Sequence, residues 1–455
     1  MFKVSILLPS LNVVDYIKQC VDSVTSQTLK EIEILCIDAG SEDGTLEILE
    51  SEAAKDPRIR VIHSEKKSYG YQMNLGIREA KGDYIGIVET DDYVDPDMFE
   101  ILYRRAIKDN SDMVKGVLYD VYTFDDSREK EILFDYIPAN TVPGVTFSPD
   151  NRPQVHDWDG NIWNGIYRRD FLLKNNLGFQ ETPGAAFQDI GFQQRVLNAA
   201  EKVAYMRAHF YHYRKVRPGA STWNPKCVEY IYKAYYDLLA DPVLKEGHKK
   251  YIYTRMVQAF LFELNKALYL YDYDINAPSI REAIEWYSEK VHRALRDGYF
   301  LFDEISEYNL TDTMLFFADR DAYVFEIKKR MESLYAFLDE IRKKNTDDSV
   351  VIFGFGRYGH MLTNFLLMNG VWVDGLADNQ PWVNNTSYLG IKIYSALDLV
   401  RAHKNAVFVI ANKNNGNSIS LQLQEYGIDE KKILIFDGSD KYLLEGVRRA
   451  TILPR

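Results

Sequence analysis

Short apolar segments alternate with helical patterns through the first part of the chain. Four of them, at 4–8, 32–37, 59–62 and 84–88, have the length and composition of buried strands. Between the first two, Val14, Ile17, Val21 and Val24 recur at helical spacing, which predicts a helix with one buried face. Strands that alternate with helices predict an α/β fold, with a parallel sheet and right-handed crossovers. Ligands of such sheets bind outside the carboxyl ends of the strands.

Three polar loops are expected at that edge of the sheet, at 9–12, 38–45 and 89–92. The last, named the acidic loop here, places Glu89, Asp91 and Asp92 directly after a buried strand. Carboxylates at such short range repel one another unless a cation or a ligand lies between them. Oxygen ligands suit Mg²⁺ or Mn²⁺, so a metal–phosphate site and an acidic surface turn are the two interpretations. Asp95 and Pro96 then predict the start of a helix, with Asp95 as its cap.

Four motifs in a fixed order connect these elements to a known family. They are VSILLPSLN at 4–12, IDAGSEDGT at 37–45, NLGI at 74–77 and GDYIGIVETDD at 82–92. Together they resemble glycosyltransferase family 2, strongly over residues 1–120. The resemblance implies a GT-A fold, a nucleotide-diphosphate sugar as the donor, a divalent metal (Mn²⁺ or Mg²⁺) and inversion at the anomeric carbon.

The resemblance also implies roles on the donor side. Asp92 matches the metal ligand, Asp91 would lie by the ribose and the metal, and His212 resembles a late histidine that completes the metal site in some relatives. The implied nucleotide-sugar-binding residues are Pro9, Leu11, Asn12, Asp38, Ser41, Asn74 and Asp91. Structural roles are the alternative for three side chains: Asn12 and Asp38 as caps, and His212 as a packed residue of an aromatic strand.

The chain departs from the family pattern at two donor-side positions. Where the family has two consecutive acids, this chain has Asp38 followed by Ala39. Because the second acid commonly contacts the nucleobase, the identity of the base is open. Met73 occupies the usual arginine position, so a phosphate contact is either missing or supplied by Lys66 or Lys67.

The acceptor side is predicted from two later segments. Inversion needs one base to remove the proton of the acceptor hydroxyl, and Asp189, at a predicted helix start, is the candidate. Gln188 replaces the first acid of the family's usual pair. The resemblance to the family implies that Trp163 and Asn164, on a predicted strand, lie on the acceptor side. Core packing is the alternative for Trp163, and helix capping is the alternative for Asp189. The basic segment 211–222 is placed to reach the donor diphosphate.

The chain divides into three predicted regions. Residues 1–223 form the GT-A catalytic domain, 224–345 a helical region, and 346–455 a second, small Rossmann-like α/β domain. Helices are expected at 228–239, 251–270, 280–297 and 323–344. The helical region is dense in tyrosine, which suits an aromatic core, stacking on a glycan, or contact with a membrane interface.

A glycine-rich turn opens the C-terminal domain. Gly354, Gly356 and Gly359 match the dinucleotide pattern between a strand and a helix, and Asp378 follows the next predicted strand. NAD(P) is therefore a candidate ligand, although no partner for hydride transfer is evident. The domain also resembles the small modules attached to bacterial sugar-modifying enzymes and methyltransferases. A structural or acceptor-side module with a degenerate pocket is the favoured interpretation.

Composition narrows the class of partner and compartment. The 455 residues carry a net charge of −12, which argues against a general nucleic-acid binder. No apolar segment approaches the roughly 18 residues that a membrane span needs, and the N-terminal segment lacks a signal-peptide pattern. Three distant cysteines form no disulfide or zinc pattern, which predicts a reducing compartment. We expect a cytoplasmic protein, with peripheral contact at the inner face of the membrane and homo-oligomerisation left open.

These observations predict a metal-dependent inverting glycosyltransferase of hexosyltransferase type. The expected acceptor is a hydroxyl of a surface glycan or its lipid-linked precursor, which rests on the resemblance alone. Two other classes remain open. One is a sugar-nucleotide oxidoreductase that uses the C-terminal domain, and the other is a catalytically inactive glycan- or nucleotide-binding protein.

Overall fold

The computed structural model describes residues 1–123, 129–134, 137–138, 141–158, 160–215, 226–299, 305, 307–345, 349–381, 386–412 and 414–436. Large hydrophobic clusters hold these ranges together. In the same ranges, no helix is both long enough and apolar enough to cross a membrane.

A parallel sheet forms the first part of the molecule. Its strands are β1 (Val4–Ser10), β2 (Ile32–Asp38), β3 (Ile59–His63) and β4 (Tyr84–Ile87). They pair in the order β3-β2-β1-β4, all parallel. The crossovers contain α1 (Val14–Thr25), α2 (Thr45–Ala53) and α3 (Tyr69–Glu79). The alternating pattern therefore gives the predicted α/β sheet, and Ser68 caps α3 by accepting a hydrogen bond from the amide of Tyr71.

The second half of this sheet is mixed and reaches back to the acidic loop. Its elements are β5 (Tyr93–Val94), α4 (Met98–Asp109), β6 (Met113–Thr123), β7 (Glu129–Phe134), α5 (Val155–Trp158), β8 (Gly165–Arg168), α6 (Arg169–Lys174), α7 (Gln188–Ala199) and β9 (Val203–Arg214). The order continues β4-β8-β6-β9-β5, with β8 antiparallel to both neighbours and β7 paired to β6. Because β5 pairs with β9, the acidic loop between β4 and β5 lies against the end of β9.

Close packing explains the one glycine within the apolar strand β4. A Cβ atom on Gly86 would lie 2.3 Å from Cε1 of Phe99, which is a fully buried ring of α4. No other residue would therefore fit between this strand and that helix without displacing the ring.

Several local predictions were wrong at element ends. β1 continues through Ser10, so Pro9 belongs to a strand rather than to a turn. The helix predicted from Asp95 and Pro96 begins instead at Met98, and no side chain caps it. The strand expected to carry Trp163 starts after it, at Gly165. Each error lies at a terminus, where hydrogen bonds to distant segments decide the boundary.

The middle region is helical, as predicted. It contains α8 (Cys227–Leu239), α9 (Glu246–Leu270), α10 (Pro278–Arg296), α11 (Glu307–Ala318) and α12 (Arg320–Lys344). The pattern did not predict α11, and α9 begins earlier than expected. Tyr235, Tyr287 and Tyr323 are fully buried, whereas Tyr236 and Tyr269 are exposed. An aromatic core thus accounts for the most buried tyrosines of this region.

The C-terminal part forms a second sheet. Its elements are β10 (Val350–Phe353), α13 (Arg357–Met368), β11 (Gly375–Ala377), β12 (Ser387–Tyr388), β13 (Ile391–Tyr394), α14 (Ala396–Ala402), β14 (Val407–Ile410), α15 (Gly416–Glu425) and β15 (Ile433–Ile435). The strand order is β12-β13-β11-β10-β14-β15, and all pairs except β12 with β13 are parallel. β11 is the predicted strand that Asp378 follows.

One hydrophobic cluster crosses the predicted boundary between the helical region and this second sheet. It contains Ile341 of α12 together with Val350 and Ile352 of β10. Arg342 of α12 also donates a hydrogen bond to the carbonyl of Asn369 at 2.6 Å. The limits at 223 and 345 remain predictions. The shared cluster joins the second sheet to the helical region, and a further cluster, which includes Val351 and Phe353, belongs to the second sheet and its helices alone.

Candidate functional site

The acidic loop is tied to its surroundings at several points. The hydroxyl of Thr90 donates to the carbonyl of Pro9 at 2.7 Å, which links the loop to β1. The amide of Asp92 donates to the carbonyl of Glu89 at 3.0 Å and closes the loop into a turn. The acidic and first loops therefore meet at the carboxyl edge of the sheet, as the sequence predicts.

Asp92 is fully buried at this edge. Its Oδ2 accepts from the hydroxyl of Tyr211 at 2.8 Å, and its Oδ1 accepts from the amide of Arg214 at 2.8 Å. Burial, followed by the neighbouring charge of Asp91, raises the pKa of Asp92 well above its ordinary value. A cation would favour the ionised form of this carboxylate.

The acidic loop fits a divalent metal of the kind that is shared with phosphates. No cluster of three or more histidine, cysteine or carboxylate side chains able to hold a metal occurs among the described residues. A nucleotide-bound Mg²⁺ needs only one or two protein carboxylates, because phosphates and waters complete its shell. Asp92, with one hydrogen bond on each oxygen, keeps free lone pairs for that role, and Asp91 is adjacent.

Arg214 supports the acidic loop from behind. Its Nη1 donates to the carbonyl of Asp91 at 2.5 Å, and its Nη2 donates to Oε1 of Gln19 at 2.6 Å. The guanidinium also lies 4.9 Å from the ring centroid of Tyr93. Lys215 pairs with buried Asp120 at 3.3 Å. These two basic groups of the segment predicted to reach the diphosphate are thus engaged within the protein, and residues 216–222 lie outside the described ranges.

His212 does not join Asp91 and Asp92. Its ring lies between Tyr93 and Tyr119, with centroids 4.4 and 4.9 Å away. Nε2 is 3.0 Å from Asp95 and Nδ1 is 3.0 Å from Glu131. Since side chains alternate along β9, Tyr211 faces Asp92 and His212 faces away from it. This arrangement supports the packed-residue interpretation over the predicted metal role.

The second loop is joined to the first by side chains. The amide of Asn12 donates to Oγ of Ser41 at 3.0 Å, and that hydroxyl donates to Oδ1 of Asp38 at 2.5 Å. Oδ2 of Asp38 accepts from the amides of Gly40 and Ser41 at 2.8 and 3.0 Å. Asp38 therefore shapes its own turn, which matches the capping alternative. Leu11 is 37% exposed in the first loop, where a ligand can reach it.

Asn12 does not cap α1, so the structural alternative for its side chain is wrong. Its side chain instead accepts from the amide of Glu42 at 2.9 Å, and its backbone φ is 54°. The cap of α1 comes from the second loop, where Oδ2 of Asp43 accepts from the amide of Val14 at 3.0 Å. This exchange fixes the two loops against each other.

Gln72, and not Asn74, is the residue of α3 that reaches the site. The amide group of Asn74 bonds the backbone of Phe179 in both directions, at 2.8 and 2.9 Å, so it pins a distant loop. Gln72 is buried, and its Nε2 donates to the carbonyls of Ser10 and Ile37 at 3.0 and 2.6 Å. The two positions differ by two residues, so they face different sides of the helix. The sequence signal that could have identified Gln72 was its position on the helix face that also carries the buried residues Met73 and Ile77.

Asp189 lies in the first turn of α7 and does not cap it. Phe187, with φ of 61°, occupies the cap position, and no side chain makes a capping bond. Burial raises the pKa of Asp189, while a hydrogen bond from the amide of Ile190 and the charge of Arg255 oppose that rise. A carboxylate with a raised pKa is suited to accept a proton.

Tyr69 is hydrogen-bonded to the acidic loop and lies within electrostatic range of Asp189. Its hydroxyl donates to Oε1 of Glu89 at 2.5 Å. Burial raises the pKa of Tyr69 well above its ordinary value, and the charges of Glu89 and Asp189 add to that effect. The predicted base and the predicted metal loop therefore lie in the same region of the protein.

Trp163 and Asn164 are buried rather than open to an acceptor. The Trp163 ring stacks on Tyr211 and Tyr213, with centroids 4.2 and 4.8 Å away. Nδ2 of Asn164 donates to the carbonyl of Gly116 at 2.7 Å. Trp163 is only 7% exposed, which supports its interpretation as a core residue. Asn164 likewise makes an internal contact.

The C-terminal glycine turn borders a cavity of about 260 Å³. Its lining is mostly polar: Phe353, Gly354, Asp378, Asn379, Gln380, Asn412, Asn415, Ser418, Ile419 and Gln422. The carboxylate of Asp378 accepts from the amides of Phe355 and Gln380 at 2.7 and 2.9 Å. Asp378 thus bonds an amide of the glycine turn and shapes that turn from within the protein. This observation favours a structural module over NAD(P) binding.

Packing accounts for two of the three glycines in that turn. Gly354 has φ of 107°, a left-handed conformation that side chains disfavour. A Cβ on Gly359 would lie 1.9 Å from the carbonyl oxygen of Gly354. A Cβ on Gly356 would meet nothing within 4 Å. The glycine pattern therefore reflects the turn's geometry without requiring a nucleotide.

The fold and the site define a glycosyltransferase, and comparison with known proteins assigns its family. The model of the family "Glycosyl transferase family 2" matches residues 5–189. The chain is 33% identical to the uncharacterized glycosyltransferase EpsJ of Bacillus subtilis (strain 168), over 51% of this chain and 67% of EpsJ. It is 32% identical to glycosyltransferase GlyG of Streptococcus pneumoniae serotype 4, over 47% of this chain and 70% of GlyG. The chain belongs to glycosyltransferase family 2.

Two further similarities are more limited. The chain is 31% identical to the cholesterol galactosyltransferase of Borreliella burgdorferi, over 46% of this chain and 59% of that protein. Among solved structures, residues 1–349 of S. aureus TarS in complex with UDP-GlcNAc align at 17% identity, covering 65% of this chain and 92% of that fragment, with a TM-score of 0.44. A TM-score at that level is too low to support an argument about this site.

Proposed function

We propose that this glycosyltransferase moves a hexose from a nucleotide-diphosphate sugar to an acceptor hydroxyl, with inversion and with a divalent metal. The observation that carries the proposal is a buried carboxylate, Asp92, in the loop at the carboxyl edge of the sheet, with a second carboxylate, Asp189, at the start of α7 within electrostatic range of the same Tyr69. Two carboxylate groups with separate surroundings provide the two functions that an inverting transfer needs.

On the donor side, Asp92 and Asp91 would hold the metal. Mn²⁺ or Mg²⁺, when bound there, supplies positive charge that stabilises the departing diphosphate. Arg214 and Thr90 keep the acidic loop in place through the carbonyls of Asp91 and Pro9. Pro9, Leu11, Asn12, Asp38 and Ser41 would line the nucleotide pocket at the same edge. Asn74, which is bonded to the backbone of Phe179, is left out of this pocket.

On the acceptor side, Asp189 would accept the proton of the attacking hydroxyl. Its raised pKa makes it a stronger base than an ordinary aspartate. The acceptor oxygen must approach opposite to the diphosphate, so the base and the acidic loop must lie on opposite faces of the sugar. Asp189 belongs to α7 and Asp92 follows β4, so the two carboxylates come from different elements, which is compatible with that arrangement.

The acceptor is proposed to be a surface glycan or its lipid-linked precursor. Family membership supports this class of acceptor, and the net charge of −12 does not favour a nucleic acid. The cysteines, Cys20, Cys36 and Cys227, are buried and free, which is consistent with a reducing, cytoplasmic setting. Contact with the inner face of the membrane and homo-oligomerisation stay predictions.

The decisive experiment is a donor screen with the full-length protein. UDP-, GDP-, CDP- and dTDP-sugars are each incubated with Mn²⁺, and the released nucleoside diphosphate is measured with and without EDTA. We expect release from at least one donor, abolished by EDTA. Full activity in EDTA would contradict the metal proposal. Binding without release would support the inactive alternative, and NAD(P)-dependent redox turnover would support the oxidoreductase.

A further inference from the structure

Tyr211 spans the acidic loop with a single hydroxyl group. The side chain is fully buried on β9. Its hydroxyl donates to Oδ2 of Asp92 at 2.8 Å and accepts from the amide of Glu89 at 3.0 Å. One oxygen atom therefore joins the first and last residues of the loop that carries the candidate metal ligand.

The position of this hydroxyl is fixed by its surroundings. The Tyr211 ring stacks on Trp163 with centroids 4.2 Å apart and an interplanar angle of 29°. The backbone of Tyr211 pairs with Val94 of β5, the strand that follows the acidic loop. Ring and backbone are thus both held, and the hydroxyl cannot follow Asp92 if that carboxylate rotates.

We propose that Tyr211 is a positioning residue that orients the Asp92 carboxylate for the divalent cation. This inference rests on the proposed metal role of Asp92. The hydrogen bond from Tyr211 occupies one lone pair of Oδ2 and fixes the direction of the remaining ones. Groups that hold a metal ligand in this way typically contribute about 10–100-fold to metal affinity.

The test compares two buried tyrosines in the full-length protein. Tyr211→Phe removes the hydroxyl and keeps the ring that stacks on Trp163. Tyr167→Phe is the matched control: Tyr167 is also fully buried, and its hydroxyl bonds the carbonyl of Ile162 at 2.9 Å and Oε1 of Gln193 at 3.0 Å. Both variants lose a buried hydroxyl that is hydrogen-bonded within the protein, so a general loss of stability affects both.

The readout is the binding of Mn²⁺ alone, from the electron paramagnetic resonance signal of free Mn²⁺, with unfolding followed by circular dichroism. We expect Tyr211→Phe to bind Mn²⁺ about 10–100-fold more weakly than wild type and Tyr167→Phe to bind it normally. Equal Mn²⁺ affinities in wild type and Tyr211→Phe would overturn the inference about Tyr211 and leave the metal proposal standing. It would also be overturned if Tyr211→Phe failed to fold while Tyr167→Phe folded. If Asp92→Ala bound Mn²⁺ as tightly as the wild type does, the metal proposal itself would be overturned.

Discussion

Replacing Asp189 with asparagine separates its chemistry from its structural role. The residue lies in the first turn of α7 without capping it, so the near-isosteric change leaves the helix start intact. Because the raised pKa of Asp189 means that the fold disfavours the ionised carboxylate, removing its charge should not destabilise the protein. The protein should therefore remain folded at ordinary temperatures.

The expected loss of turnover is much larger. A positioned base contributes about 10²–10⁴-fold in rate, which corresponds to about 3–5 kcal/mol in activation free energy. Donor and metal affinity should change little in this variant, because Glu89 of the acidic loop is hydrogen-bonded to Tyr69, which the substitution leaves in place. Since burial raises the pKa of Asp189, the wild-type rate should fall as pH drops through that raised value. The variant should lack this limb of the pH profile.

The assay is acceptor-dependent release of nucleoside diphosphate, with donor binding measured separately by calorimetry. Asp170→Asn provides a matched control, because Asp170 is also the second residue of a helix but is 87% exposed. Near-normal turnover in Asp189→Asn would refute its assignment as the base. Loss of donor binding in that variant would place Asp189 on the wrong side of the sugar.

Two further predictions concern the nucleobase and acid stability. Ala39→Asp, which restores the acid that the family usually has, should change the ranking of nucleotides in binding assays. Ala54→Asp, at an exposed position, is the control. An unchanged ranking would mean that other residues recognise the nucleobase. His156 is fully buried, and burial, followed by the charge of His248, lowers its pKa from 6.5 to about 3. Below pH 6.5 the unfolded chain therefore binds a proton at His156 that the folded chain does not bind, so the melting temperature should fall as the pH drops. The fall should be less steep in His156→Gln. Equal slopes of melting temperature against pH in the two proteins would contradict this reasoning.

The sheet and the acidic loop could be predicted because local patterns determine them. The four parallel strands have apolar segments of the right length, and the carboxyl edge of a parallel sheet is a known ligand position. The start of α7 near Asp189 followed from the same kind of local signal. These features depend on residues close together in the chain.

The wrong predictions involve contacts between distant segments. Asparagine often caps helices, and Asn12 lies just before the start of α1. Asp43 caps α1 instead, because the second loop folds over the first. His212 follows Tyr211 directly, and only the pairing of β9 with β5 decides which of the two faces Asp92. Without that register, alternation along a strand gives two equivalent solutions.

The central claim is that Asp92 holds the metal needed for donor binding, and Asp92→Ala tests it most directly. The measurement is the melting temperature of both proteins with donor plus Mn²⁺, and with donor plus EDTA. A ligand at about 100 times its dissociation constant adds about 2.7 kcal/mol to the stability of the folded state. We predict that Mn²⁺ and donor together stabilise the wild type, that EDTA removes the effect, and that Asp92→Ala folds but is not stabilised. Equal Mn²⁺-dependent stabilisation of Asp92→Ala and wild type would contradict the account.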